Sequence, residues 1–219
     1  MATPTIPLSD FERLVQPHTP EAPVTLVGQV LRLAAIEFSE RTKAWRQLVT
    51  IQLTRQGRFI VSPPYASIIE FEHATFDDSV ALTPTQYTDF DISEFGEIGV
   101  PRYITQVGPD EVSVVPFQEG KLTLSCFLRP RNESEYELDA AGIPRDIFDT
   151  VPAFYLTQYG EIIASGALHR LFIMPRQPWT DGALAQYHLV RFDEGIKRHA
   201  SSHMKGQVAA KARVKPQFF

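Results

Sequence analysis

Few side chains in this chain have the type and spacing that chemistry needs. His199 and His203 lie four apart, which on a helix would place two imidazoles on one face, the start of a metal pair. No Asp or Glu follows Glu194, so a carboxylate ligand would have to come from elsewhere in the fold. Solvated histidines near a basic helix end explain the pair more simply. Cys126 is the single thiol, which excludes an intramolecular disulfide framework and a cysteine-rich zinc site. It alternates with leucines, as a core residue does. His73, His169 and His188 have no partnering serine or cysteine motif, and Asp77-Asp78 reads as a solvated acidic turn rather than a cation site. A glycine-rich phosphate loop, a nucleophile elbow and an HExxH helix are all missing from the sequence. No enzyme and no cofactor are therefore expected.

Charge is more informative than chemistry. The formal net charge is -5, but all 26 Asp and Glu precede position 196. Lys197, Arg198, Lys205, Lys211, Arg213 and Lys215 follow it, so the last segment carries six positive charges and no negative one. Residues 59–101 hold no Lys or Arg but contain Glu70, Glu72, Asp77, Asp78, Asp89, Asp91, Glu94 and Glu97. A basic segment on an acidic body suggests an interaction arm, with nucleic acid or an acidic protein surface as its target. An acidic body argues against wrapping DNA, which needs a continuous basic surface. The opening MATPTIPLSDFERL lacks the basic start and apolar run of a secretory signal. No run reaches the ~18 apolar residues of a membrane span. A soluble intracellular product with no membrane partner is expected, and Asn132-Glu133-Ser134 is then a chance glycosylation match.

These groups must be positioned by three kinds of segment. Residues 1–23, with five prolines, read as an extended N-terminal arm containing a short helical turn over Ser9–Val15. Residues 24–45 carry a helical stripe of Val27, Val30, Leu31, Ala34, Phe38 and Trp45, with Glu37 and Arg41 four apart on the polar side. Residues 46–143 read as an inserted β domain. Leu48–Leu53 and Phe59–Val61 would flank a Gly57 turn, followed by strands at 67–72, 79–82, 103–106, 111–115 and 121–128 in a sandwich or meander. Residues 144–205 return to helix. One helix runs from Pro152 with Asp149 or Thr150 as cap, and another from Gly182 toward His203 with Thr180 or Asp181 as cap. Residues 206–219 lose all pattern and read as a flexible basic arm. The fold class is α+β: a discontinuous antiparallel helical bundle, 24–45 with 144–205, an inserted antiparallel β domain and extended terminal arms.

Two stretches then resemble a known family. The first is Leu33-Ala34-Ala35-Ile36-Glu37-Phe38-Ser39-Glu40-Arg41-Thr42-Lys43-Ala44-Trp45-Arg46 at the exit of the first helix. The second is Gly160-Glu161-Ile162-Ile163-Ala164-Ser165-Gly166-Ala167-Leu168-His169-Arg170-Leu171, then Met174-Pro175, Pro178-Trp179-Thr180-Asp181 and a helix with Tyr187, Phe192 and Gly195-Ile196. In this order, over roughly residues 24–205, they resemble the head-to-tail adaptor (connector) proteins of short-tailed bacteriophages, the tail tubular protein A type. The first 23 residues and 66–100 carry no family word.

The resemblance implies a structural virion protein at the head–tail junction, made in the host cytoplasm. Such adaptors form a ring, as a rule of twelve subunits, beneath the portal protein. The ring extends the DNA-ejection channel and receives the tail nozzle and often tail fibres, so genomic DNA is met only in passing. A closed ring needs two different faces on each subunit. On this reading Lys205, Lys211, Arg213, Lys215, Phe218 and Phe219 form an arm that binds the portal. Glu37 and Arg41 become subunit-interface candidates, with an intrahelical pair as the simpler alternative. The acidic residues of 59–101 become a tail-facing or channel rim. The competing class is a DNA-binding accessory factor that acts through the basic arm.

Overall fold

The computed structural model describes residues 4–91, 93–138, 142 and 144–204, with backbone alone for 144, 145 and 201–204. Among them are twelve strands and four α-helices, a mixed α+β chain. The chain divides into two compact units. One holds Met1–Pro7 and Trp45–Pro152, and the other Leu8–Ala44 and Ala153–Phe219.

The helical unit begins earlier than its sequence suggests. After the strand β1 (Thr5–Pro7), a 3-10 turn (Leu8–Phe11), the short helix α1 (Glu12–Val15) and a second 3-10 turn (Gln16–His18) follow. Leu8, Phe11 and Val15 are fully buried, so residues 8–15 pack into the core rather than forming an extended arm. The prolines punctuate these turns without preventing burial.

Helix α2 (Val24–Thr42) buries the expected stripe of Val27, Val30, Leu31, Ala34 and Phe38. It stops at Lys43, which adopts a left-handed φ of 53° and donates its N–H to the Ser39 carbonyl at 2.8 Å. Trp45 therefore leaves the helical stripe and opens the next strand. Helix α3 (Ala153–Phe172) packs on α2, and helix α4 (Gly182–Met204) packs on both. Asp181 caps α4: its Oδ1 accepts the N–H groups of Ala183 at 2.9 Å and Leu184 at 3.0 Å.

Small residues let α3 and α4 approach closely. A Cβ added to Gly166 would lie 2.8 Å from the Phe192 ring, and one on Gly195 would lie 2.8 Å from Ile162. At the α2–α3 contact the Ser39 hydroxyl donates to the Ala35 carbonyl at 2.6 Å and shares a 2.8 Å hydrogen bond with the Tyr155 phenol. Tyr155 is fully buried against the Phe38 ring, edge to face at 5.9 Å.

The β unit has β2 (Trp45–Leu53), β3 (Phe59–Ile60), β4 (Ala66–Phe76), β5 (Val80–Ala81), β6 (Thr83–Pro84), β7 (Tyr103–Gln106), β8 (Glu111–Val115), β9 (Gly120–Pro130), β10 (Tyr136–Leu138), β11 (Pro144–Asp146) and β12 (Thr150–Pro152). The long strand β9 lies between β2 and β4 in one sheet, ordered β2-β9-β4-β5. Its alternating Leu122, Leu124, Cys126 and Leu128 are all fully buried, each leucine contributing about 1.5–3 kcal/mol on burial. The second sheet runs β3-β8-β7-β6.

Four local readings need correction. Strands β2 and β3 flank Gly57 yet join different sheets, because β2 finds its register on β9 and β3 on β8. The strand orders are not those of a meander. Most pairs are antiparallel, but β6 runs parallel to β7. Residues 150–152 form a strand paired with β1 instead of capping a helix, so the β unit extends through Pro152 and α3 starts at Ala153.

Candidate functional site

Cys126 on β9 is buried, its Sγ lies 3.8 Å from the Gln47 carbonyl, and desolvation pushes its thiol up to about 11. It stays protonated near neutral pH and is a core residue, not a nucleophile. The His199 ring stands edge-on to Tyr159 at 5.0 Å, and its pKa is lowered by burial and by Arg198. The side chain of His203 lies outside the described residues. Among the described residues no group of three or more His, Cys, Asp or Glu is placed to hold a metal ion.

Asp77 and Asp78 occupy left-handed positions in the turn after β4, with φ of 46° and 56°. Asp77 accepts the Lys121 N–H at 2.7 Å, and Asp78 pairs with the Lys121 ammonium. Lys121 of this chain thus engages both, Asp77 through its backbone and Asp78 through its ammonium.

Histidines also gather in the helical unit. His188 of α4 is buried and stacks on Phe172 at 5.6 Å, with His18 edge-on at 6.1 Å. Its Nδ1 has no hydrogen-bond partner among the described residues. The pKa of His188 is lowered by burial first, then by the charges of His18, Arg191 and His169. The neighbouring His169 Nδ1 bonds with the Ala185 carbonyl at 3.0 Å.

Glu37 and Arg41 are drawn into a network within the helical unit. Arg41 pairs with Glu37 at 2.8 Å and with Asp193 of α4 at 2.7 Å. Arg170 of α3 pairs with the other Glu37 oxygen and donates to the Gly166 carbonyl at 2.8 Å. The two candidates for a subunit interface thus tie α2 to α3 and α4 within one chain. The i,i+4 spacing revealed the Glu37–Arg41 pair, but neither Asp193 nor Arg170 carries a local signal that would have added it. A groove of about 610 Å³ on the same unit, between residues of α1, α3 and α4, mixes Arg13, Arg191 and Arg198 with Glu161 and Glu194. Cations and carboxylates are interspersed along it and select no ligand class.

The eight carboxylates of the acidic stretch sit on three segments of the β unit. Glu70 and Glu72 are on β4, where Glu72 pairs with Arg46 at 2.7 Å and accepts from the Ser125 hydroxyl at 2.7 Å. Asp77 and Asp78 are held by Lys121. Asp89, Asp91, Glu94 and Glu97 lie along the loop between β6 and β7, around an aromatic cluster. Within it Phe95 contacts Tyr87 at 4.9 Å and Phe90 at 5.5 Å, and Phe90 meets Tyr103 at 5.7 Å. Beside the cluster Ile98 is 85% exposed and Val100 51%. Tyr87 lines a groove of about 780 Å³ between β4 and β7 as well as a smaller cleft of about 190 Å³ beside Gln56–Arg58.

Lys205, Lys211, Arg213, Lys215, Phe218 and Phe219 lie outside the described residues. Neither a family model nor a curated protein matches the chain.

Exposed large apolar side chains occur on both units, including Leu48, Ile60, Ile98 and Leu138 on one and Leu33, Ile173, Leu184 and Tyr187 on the other. Sequence reasoning missed these side chains because nothing local marks an apolar residue as exposed. No helix among the described residues is long and apolar enough to cross a membrane.

Proposed function

We propose that this chain is a structural ring subunit, a head-to-tail adaptor of the tail tubular protein A type, acting at the virion's head–tail junction. It would assemble as a ring of about twelve copies beneath the portal protein, extend the channel for ejected DNA and receive the tail nozzle and fibres. In this reading the helical unit is a discontinuous antiparallel bundle and the β unit an insert that presents a separate surface. No catalysis and no cofactor are involved.

The observation that carries the reading is that exposed apolar side chains stand on two separately cored units of one short chain. A head-to-tail ring needs unlike faces that meet from copy to copy, and two units supply them. The ordered words at 33–46 and 160–196 add the family resemblance.

Light scattering of the full chain, alone and with the portal protein of the same virus, tests the proposal. The expected result is a species near 24.7 kDa that joins a multi-subunit complex when the portal is added. A chain that stays near that mass with the portal at every salt concentration would refute it. Salt-sensitive binding of the free chain to duplex DNA would instead favour the accessory-factor reading.

A further inference from the structure

The groove between β4 and β7 is flanked by stretches of strand edge that pair with no strand among the described residues. β5 pairs β4 only at Thr75 and Phe76, and Ile68 donates its N–H to the Pro109 carbonyl at 2.7 Å. Residues 69–73 between those points have no strand on that side. β6 accompanies β7 only at Tyr103 and Ile104, and after Thr85 donates to the Ile104 carbonyl at 3.0 Å the chain turns away. Gln106 is left without a neighbouring strand on that edge. Such edges are templates for an added extended segment. The hydroxyl of Thr105 at the groove is fully buried and has no hydrogen-bond partner among the described residues.

The chemistry of the surroundings specifies the occupant. Glu70 and Phe71 form one wall and Tyr87 the other. The loop leading on from Tyr87 carries Asp89, Asp91, Glu94 and Glu97, and none of the four is in an ion pair among the described residues. The complementary segment is extended, basic, free of carboxylates and supplied with apolar side chains. Residues 205–219 have that composition: Lys205, Lys211, Arg213 and Lys215, no Asp or Glu, and Val208, Val214, Phe218 and Phe219. Fifteen extended residues reach ~50 Å.

We infer that the β4–β7 groove and its acidic aromatic loop bind residues 205–219 of a second copy of this chain. The choice of a second copy over the same chain rests on the ring reading, since a segment-to-groove contact between unlike surfaces passes from copy to copy. The family resemblance points the segment at the portal, and the groove gives it a partner within the ring.

The test is zero-length carbodiimide cross-linking of the full chain, mixed from light and nitrogen-15-labelled protein and read by mass spectrometry. The portal is added in a parallel sample, and complex mass is followed by light scattering. Mixed-isotope cross-links from Lys205, Lys211 or Lys215 to Glu70, Asp89, Asp91, Glu94 or Glu97 are expected. Their yield should fall about tenfold in the Asp91→Lys/Glu94→Lys variant, whose fold is checked by circular dichroism. Cross-links confined to one isotope would place the segment on its own chain and overturn the inference. Cross-links to the portal alone, or none at all in an assembled complex, would overturn it while leaving the ring reading intact. Mixed-isotope cross-links without any complex on the portal would uphold the groove and refute the adaptor.

Discussion

The close approach of α3 and α4 makes opposite predictions for one substitution at two glycines. Gly28 lies within α2, and a Cβ there would meet no atom within 4 Å. Gly28→Ala should stabilise the helical unit by about 0.5–1 kcal/mol, through helix propensity and a less flexible unfolded chain. At Gly166 the same methyl would lie 2.8, 2.9 and 3.0 Å from three atoms of the Phe192 ring. That ring is 1% exposed, and the Arg170 guanidinium stands over it at 5.9 Å, so it has little room to withdraw. Overpacking costs about 1–3 kcal/mol, which offsets or exceeds the propensity gain. Gly166→Ala should therefore be about 1–3 kcal/mol less favourable than Gly28→Ala. Urea titrations followed by helical circular dichroism measure both. In a Phe192→Leu background the steric part should vanish and Gly166→Ala should become stabilising, a coupling that a double-mutant cycle isolates. If Gly166→Ala stabilises the native background as much as Gly28→Ala does, the close helix contact is wrong.

Three further outcomes are expected. Tyr155→Phe removes the phenol that shares a hydrogen bond with Ser39 and should cost about 0.5–1.5 kcal/mol in the same titration, whereas an unchanged midpoint would remove that bond from the core. Cys126 should resist alkylation at pH 8 in the folded chain and react on unfolding, because burial raises its pKa to about 11; rapid labelling of native protein would contradict its place in the core. His188 is held below the ordinary 6.5 when folded, so the unfolded chain takes up its proton first as pH falls. Its contribution is complete above pH ~6.5 and is lost on acidification below it. Urea midpoints compared between pH 7.5 and 5.5 should fall more for the native chain than for His188→Phe, and equal falls would dismiss this histidine as the cause.

Much of the secondary structure was legible because it is local. The stripe from Val27 to Phe38 repeats at helical spacing, and the alternation from Leu122 to Leu128 has the period of a strand with one buried face. Asp181 stands two and three residues before the N–H groups that it caps. β7 and β8 keep their expected bounds at Tyr103–Gln106 and Glu111–Val115. Misreadings arose where a distant partner outweighed a local preference. Residues 150–152 suit a helix start, yet pairing with Thr5–Pro7 makes them a strand. Leu8, Phe11 and Val15 look like parts of a proline-rich arm, yet the helical core encloses them.

The chemical groups divide in the same way. Composition alone established the solitary thiol, the basic run after Glu194 and the absence of Lys and Arg from 59–101. Tertiary structure decided how those charges are used. It brought Arg170 to Glu37 across 133 positions and Lys121 to Asp78 across 43, leaving the carboxylates of the β6–β7 loop beside exposed aromatics. It also separated β3 from β2 and left the β4 and β7 edges on either side of a groove. Periodicity is set by neighbours one to four residues away and can be read along the chain. A groove or a charge network depends on which distant segments meet, and that is settled only when the whole unit buries its apolar faces together.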